Sequence, residues 1–417
     1  MTPETDRNIG HGAFIRLTAL CTIAYFVSYV SRINLSACMV EMVRAGFGPR
    51  HAIAFALSVC SVTYGFGQIV SGYLGDRFKP QNVMVAGFIL TGAMNLSVFF
   101  LRDARFLAVL WGINGFAQSL MWPPIVAIMT RHLSGERYNT TCMWVGWGAA
   151  FGTMAVYAFA PVIIAIAGYR GVFLVSGALA LVMAAVWKRG YERTFECCPA
   201  GIDGTGGHSE NGRQMRFGAP AVFVIGMIML AIVLQGALRD GVSNWMPTFV
   251  SENFGLGTSV AILTGVLLPV FHIICSRVVS VNYQRFAGND TVYAGLLFAM
   301  GAAASALLAA LCSCGVVISG ILTALLVGCM HGVNYVLVSM LPLYFSGYRH
   351  VSLISGMLNC CTYVGSAVST YVIAVFSETY GWRTTIWLWA VIAGSGMLIC
   401  FWIARGWRRF VRQEKGK

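Results

Sequence analysis

Residues 14–37, FIRLTALCTIAYFVSYVSRINLSA, form an apolar run long enough to cross a bilayer, with Arg32 deep inside it. A hydrocarbon core of about 30 Å needs roughly 20 helical residues. An arginine at its centre costs about 2.5–3.5 kcal/mol on insertion scales. A second run, residues 218–247, carries Arg239 at a matching place in the other half of the chain. Two such charges are expected to be used, and the simplest use is to hold an anion at the middle of the membrane.

The 417 residues are 58% hydrophobic and 10% charged, against about 25% charged in soluble domains. This is the composition of a membrane protein. About twelve apolar segments reach near-spanning length. They lie at 14–37, 52–75, 82–101, 105–128, 142–167, 170–187, 218–247, 259–280, 291–311, 316–345, 350–376 and 384–404. Strand-period alternation is missing from them, so the fold class is all-α, with twelve transmembrane helices.

The net charge of +13 follows topology. Sorted by loop, about twenty Lys/Arg fall on the side of both termini and about six on the other. The first group includes Arg77, Lys79, Arg131, Arg137, Lys188, Arg189, Arg193, Arg213, Arg216, Arg405, Arg408, Arg409 and Arg412; the second is Arg44, Arg50, Arg102, Arg105, Arg170 and Arg383. This positive-inside bias places both termini in the cytoplasm and removes nucleic acid as a partner. The first span is too long for a signal-peptide core and lacks a small-residue cleavage site, so it is expected in the mature chain. The 13 cysteines are scattered mostly within spans, where a thiol packs as a small apolar group. Cys197 and Cys198 lie beside the membrane and read as reduced thiols. No metal-type Cys/His array is present in the sequence, and no cofactor is expected.

Residues 188–217 are basic and then Gly-rich around Gly201, Gly204, Gly206 and Gly207. They divide the chain into an N-terminal six-helix bundle, 1–187, a cytoplasmic linker, 188–217, and a C-terminal six-helix bundle, 218–417. The halves echo each other, so the bundles are expected to be pseudo-symmetric. Arg32 answers Arg239, and Gly115 with Pro123-Pro124 answers Gly332 with Pro342. Gly168-Tyr169-Arg170 answers Gly381-Trp382-Arg383. Transporters are often built from such repeats, with substrate bound at the repeat interface near the midplane.

Between spans two and three runs Gly72-Tyr73-Leu74-Gly75-Asp76-Arg77-Phe78-Lys79-Pro80. It reads as a tight cytoplasmic turn in which Asp76 can cap a helix start and pair with basic groups. Asp76 and Arg77 are therefore gating candidates. The corresponding loop of the second half, Arg277 to Arg285, lacks the aspartate.

Span one presents Tyr25, Tyr29, Arg32 and Ser36 at i, i+4, i+7 and i+11, on one helical face. Tyrosine hydroxyls donate to anionic oxygens, and guanidinium offers a fork to phosphate or carboxylate. Span two adds Tyr64 and Gln68. In span seven Arg239 is followed by Asp240, Asn244, Trp245 and Pro247. Asp240 is the only acidic residue placed near a span interior, and one residue round the helix it points about 100° away. Three roles stay open for it: to neutralise a neighbour, to sit at the outer mouth, or to pair permanently with Arg239 and make that arginine structural. His331 and Asn334 in span ten, and Asn359 and Tyr363 in span eleven, are polar groups expected to face the bundle interior. His331 could bond substrate, carry a proton or pack; His272 is expected to pack against a carbonyl. Apart from Asp240 no membrane-embedded carboxylate offers an ion site, which suits exchange of one anion for another.

These residues resemble the organophosphate:phosphate antiporter branch of the major facilitator superfamily, the bacterial glycerol-3-phosphate and hexose-phosphate transporters. The resemblance runs over nearly the whole chain. Its strongest pieces are Tyr25-x-x-x-Tyr29-x-x-Arg32-x-Asn34, Tyr64-Gly65-Phe66 with the Gly72–Pro80 loop, Trp122-Pro123-Pro124 and Arg239-x-Gly241-x-x-Asn244-Trp245-x-Pro247. It implies phosphate binding by Arg32 and Arg239, supported by Tyr25, Tyr29, Tyr64 and Tyr363, and a rocker-switch motion of two six-helix lobes. Three departures stand out against the glycerol-3-phosphate transporters. Gln68 replaces a lysine, Gly148 replaces a histidine four residues after Trp144, and an uncharged position near Thr264 replaces an acidic residue. A less highly charged substrate fits that pocket. The related anion:cation symporters, which move sugar acids and other carboxylates, also use an arginine on span one.

The expectation is thus a monomeric transporter in a bacterial inner (plasma) membrane, contacting lipid, with a small anionic solute and inorganic phosphate as its partners. The alternative is proton-coupled symport of an organic carboxylate. No nucleophile or metal cluster suggests an enzyme.

Overall fold

The computed structural model describes residues 9–195, 218–255, 267–311, 315–346, 348 and 350–415. Its helices are α1 (His11–Arg44), α2 (Arg50–Arg77), α3 (Pro80–Phe100), α4 (Leu107–Ser119), α5 (Trp122–His132), α6 (Gly135–Phe195), α7 (Ala219–Phe254), α8 (Leu267–Phe286), α9 (Asp290–Ala310), α10 (Val316–Asn334) and α11 (Val351–Lys415). Cys197, Cys198, most of the 188–217 linker and Thr264 lie outside the described residues. The described part of the linker, residues 188–195, continues α6 as helix.

Glycine and proline set the breaks. Gly168 (φ 68°) and Gly381 (φ 75°) interrupt α6 and α11, in a left-handed region that side chains with a Cβ rarely enter. Both open the Gly-aromatic-Arg triplets matched between the halves, so each long helix is two arms joined by a tight turn. Pro123 and Pro124 open α5, where their missing N–H groups cost nothing, and the fourth span is therefore split into α4 and α5. Pro342 follows a π-helical turn, Tyr335–Met340, that leads into a 3-10 turn, Leu341–Phe345. A proline cannot donate to the carbonyl four residues back, and the widened turn absorbs that mismatch.

Among the described residues, nine helical stretches are long and apolar enough to cross a membrane. The twelve spans expected from sequence are reached by counting the two arms of α6 separately and adding α4–α5 and α8. Large apolar side chains stand exposed along the spans, Ile166 at 82% and Trp402 at 68% among them, as lipid-facing surfaces require.

The chain groups into two compact units, residues 1–214 with 345–357 and residues 215–344 with 358–417. The apolar core at one end of the first unit joins Leu35, Cys38 and Met42 of α1 to Ile53, Val98, Trp111 and Phe173. The Trp111 and Phe173 rings meet edge to face at 5.7 Å. In the second unit α7 crosses α11 at two glycines. A Cβ on Gly236 would collide with the Thr362 carbonyl, and one on Gly365 with that of Val233. Such small-residue crossings replace the hydrophobic driving force that lipid removes.

Candidate functional site

In the first unit, α1 turns its tyrosine–arginine face toward α2 and α5. The Arg32 guanidinium lies 4.2 Å from the Tyr29 ring centroid and 4.7 Å from that of Tyr64. The Tyr25 ring meets Tyr29 at 5.3 Å and Trp122 at 5.4 Å. Stacked contact engages the flat face of a guanidinium, whereas its N–H edge is what forks onto phosphate oxygens. Arg32, Tyr25, Tyr29 and Tyr64 are thus brought together. Gln68, one turn on from Tyr64 in α2, is fully buried, and a Cβ on Gly356 would collide with its carbonyl oxygen, so the start of α11 packs closely on this turn.

Behind Arg32 runs a buried amide seam that sequence reasoning missed. Asn34 donates to Asn95 at 2.7 Å, and Ser28 donates to Gln118 at 2.5 Å. The Ser31 carbonyl accepts from Asn95 at 3.2 Å and Asn114 at 3.3 Å. These bonds fix α1 on both sides of Arg32. The i, i+4 pair Asn114 and Gln118 inside an apolar span was the available signal. Gly148, one of the departures, has a packing reason. A Cβ there would sit 2.5 Å from the Thr22 carbonyl, so α6 lies against α1 with no room for a histidine.

In the second unit Arg239 donates to Asp240 through Nε at 2.6 Å and a terminal nitrogen at 2.9 Å. The side chains are 12% and 25% exposed, so the pair is largely shielded from water. The two Cβ directions diverge, but the long arginine stem swings back across one residue. Asp240 therefore bonds Arg239 directly, which fits both a neutralising neighbour and a permanent partner among the roles left open for it. The guanidinium also lies 5.9 Å from the Tyr363 ring centroid. One turn earlier, Gln235 donates to the Met330 carbonyl at 3.1 Å, tying α7 to α10 beside His331. Thr362 joins this group, 3.5 Å from Gln235 and 3.5 Å from Asn334. His331 stacks on His272, centroids 3.9 Å apart and planes 14° from parallel. The expectation that His272 packs against a carbonyl is replaced by this ring pair.

The gating candidates separate. Asp76 accepts from the backbone N–H of Ser352 at 3.0 Å and Leu353 at 2.9 Å, capping the first turn of α11, where N–H groups lack helical partners. His350 Nδ1 is 3.9 Å away, and the Arg131 charge reaches the carboxylate. A Cβ on Gly72 would sit 2.7 Å from Leu353 Cα, so glycine permits this approach. Arg77 turns away and donates to the Tyr73 hydroxyl at 2.8 Å.

Residues 277–285, expected as the loop matching that of Asp76, lie instead within α8, and Asp290, five residues on, is fully buried. It accepts from Tyr283 at 2.5 Å and Trp407 at 2.9 Å. These bonds tie α8 and α9 to the end of α11.

A family profile described as Major Facilitator Superfamily matches residues 21–370. The probable hexose phosphate transport protein of Chlamydia muridarum (strain MoPn / Nigg) is 24% identical over 174 residues, 41% of this chain and 38% of that protein. The membrane sensor protein UhpC of Escherichia coli (strain K12) is 28% identical over 165 residues, 39% of this chain and 37% of that protein. The chain therefore matches less than two fifths of the length of either relative. The crystal structure of the human organic anion transporter MFSD10 (TETRAN) shares the fold at a TM-score of 0.74 and 12% identity, covering 93% of this chain and 99% of that one.

Proposed function

Because this chain belongs to the major facilitator superfamily, we propose that it is a secondary active transporter moving an organic anion by alternating access. A phosphorylated solute is the favoured cargo and inorganic phosphate the exchange partner. Residues 1–187 and 218–417 serve as the two lobes, joined by 188–217. The protein works as a monomer in a bacterial inner membrane, with both termini in the cytoplasm.

The observation that carries this reading is the setting of Arg32, a guanidinium held on two tyrosine faces inside an apolar span. Tyr25, Tyr29 and Tyr64 supply hydroxyls and ring faces, and Arg239 and Tyr363 are the corresponding groups of the second half. An anion docked on a guanidinium edge offsets charge that is costly to carry through the membrane, so exchange follows naturally. The relatives named as a hexose phosphate transport protein and UhpC fit a phosphorylated cargo.

Asp240 favours a second reading. Its bond to Arg239 leaves that pair with no net charge, which suits a singly charged carboxylate entering with a proton.

Proteoliposomes separate the two. With phosphate inside, glucose 6-phosphate should enter without a pH gradient. Uptake of an organic acid that needs an inward proton gradient and ignores internal phosphate would establish the second reading instead. Failure to move any phosphate ester or organic acid would sink both.

A further inference from the structure

The crossing of α8 and α10 holds two imidazoles face to face. A Cβ on Gly328 would sit 2.7 Å from Cys275 Sγ, and one on Gly332 would sit 3.0 Å from Val279. Glycines on α10 thus let the helices close on the His272–His331 stack at 3.9 Å. Each ring gives one face to the other, so its remaining chemistry lies at the ring nitrogens. Two imidazolium charges at this spacing repel strongly, so the stack accepts one proton at most.

The charged and titratable groups around the stack are few. From α7 come Arg239 and Asp240, bonded to each other, and the Arg239 charge reaches both rings. From α8 and α10 come Cys275 and Cys329, and from α11 Tyr363, beneath Arg239. From α9 comes Tyr293, which donates to the Val279 carbonyl at 3.4 Å. Among these described groups, the two imidazoles are the ones whose ordinary range lies near neutrality. An anion docked on Arg239 adds a negative charge to an Arg239–Asp240 pair that is already neutral, and the neighbouring imidazoles are where a compensating proton can sit.

We propose that the His272–His331 stack is the proton-carrying element of the anion site, taking up one proton when an anion reaches Arg239 and releasing it when the anion leaves. The proton comes from water onto a ring-nitrogen lone pair and returns to water; no bond in the anion changes. The inference rests on the anion-binding reading above and adds a residue, His272, to which that reading gives no part. Transport of each anion then carries a proton with it, in exchange as much as in symport.

Calorimetric titration of the purified full-length protein with glucose 6-phosphate tests this. Buffers of different ionisation enthalpy give the number of protons taken up. Near pH 7.5 the ester is mostly a dianion, since its second ionisation lies at about 6. Wild type should take up close to one proton per ester bound. The double variant His272→Gln/His331→Gln should take up almost none for each ester it binds. A second measurement needs no variant: the Kd of wild type should tighten about tenfold from pH 8 to pH 7. A flat Kd, or the same uptake without the histidines, overturns the proposal and leaves the anion site standing. Absence of binding by any phosphate ester or organic acid would remove the anion site, and the proton role with it.

Discussion

Replacing Asp76 should loosen the start of α11 by an amount the geometry sets. Its two oxygens accept separately, Oδ1 from Ser352 at 3.0 Å and Oδ2 from Leu353 at 2.9 Å, and the side chain is 9% exposed. At pH 8, above the value of about 7 to which burial raises the Asp76 carboxyl, hydrogen bonds to this charged acceptor contribute about 1.5–3 kcal/mol each. Taking the lower figure for both, Asp76→Ala should destabilise the capped turn by about 3 kcal/mol. Asp76→Asn keeps one acceptor oxygen, loses the charge and turns an amide N–H toward the second donor, so it should lose about half as much. Each 1.4 kcal/mol is about tenfold in an opening equilibrium. Amide hydrogen exchange over residues 351–354 should therefore quicken about 100-fold in the alanine variant and about tenfold in the asparagine variant. Residues 80–100 serve as the internal control. Wild-type protection in both variants would refute the capping argument, and equal acceleration in α3 would show general loosening instead.

Other substitutions probe other parts. Gly236→Ala and Gly365→Ala each drive a Cβ into a facing carbonyl and should destabilise the fold by at least about 1–3 kcal/mol, read as a lower thermal midpoint in detergent. Asp240→Asn removes the carboxylate that Arg239 holds and should tighten phosphate-ester binding several-fold; a weaker affinity would show that Asp240 positions Arg239 for substrate. Burial, with the Arg131 charge beside it, pushes the His132 imidazole down to about 4, so the folded state keeps this ring neutral while the unfolded chain protonates near 6.5. Stability is therefore unaffected above that value, falls as the pH drops from about 6.5 toward 4, and levels below, for a loss of at most about 3 kcal/mol. His132→Leu should flatten this window in thermal-shift curves; an unchanged slope contradicts the assignment.

Much of this arrangement is legible in the sequence where backbone periodicity alone decides. The i, i+4, i+7 spacing of Tyr25, Tyr29 and Arg32 puts them on one face of any helix, and the structure places Arg32 on the Tyr29 ring. The Gly168 and Gly381 triplets read as a repeat and prove to be paired positive-φ turns. Reasoning failed where side-chain reach or tertiary packing decides. The 100° between Arg239 and Asp240 describes Cβ directions and says nothing of a flexible arginine stem. Gln68 is covered by a segment almost 300 residues later in the chain, and Asp290, just outside the expected span 291–311, is bonded by Tyr283 and Trp407. His272 meets His331 only once two helices cross, which no single-helix pattern contains.

The guanidinium groups are the centre of the account, and binding reads them more directly than transport does. Wild type, Arg32→Gln and Arg239→Gln, each first shown to keep its thermal midpoint, would be titrated with glucose 6-phosphate. Two charge-assisted bonds at about 1.5 kcal/mol or more apiece predict at least about a 100-fold loss of affinity in either variant. Affinity equal to wild type in both would contradict the assignment.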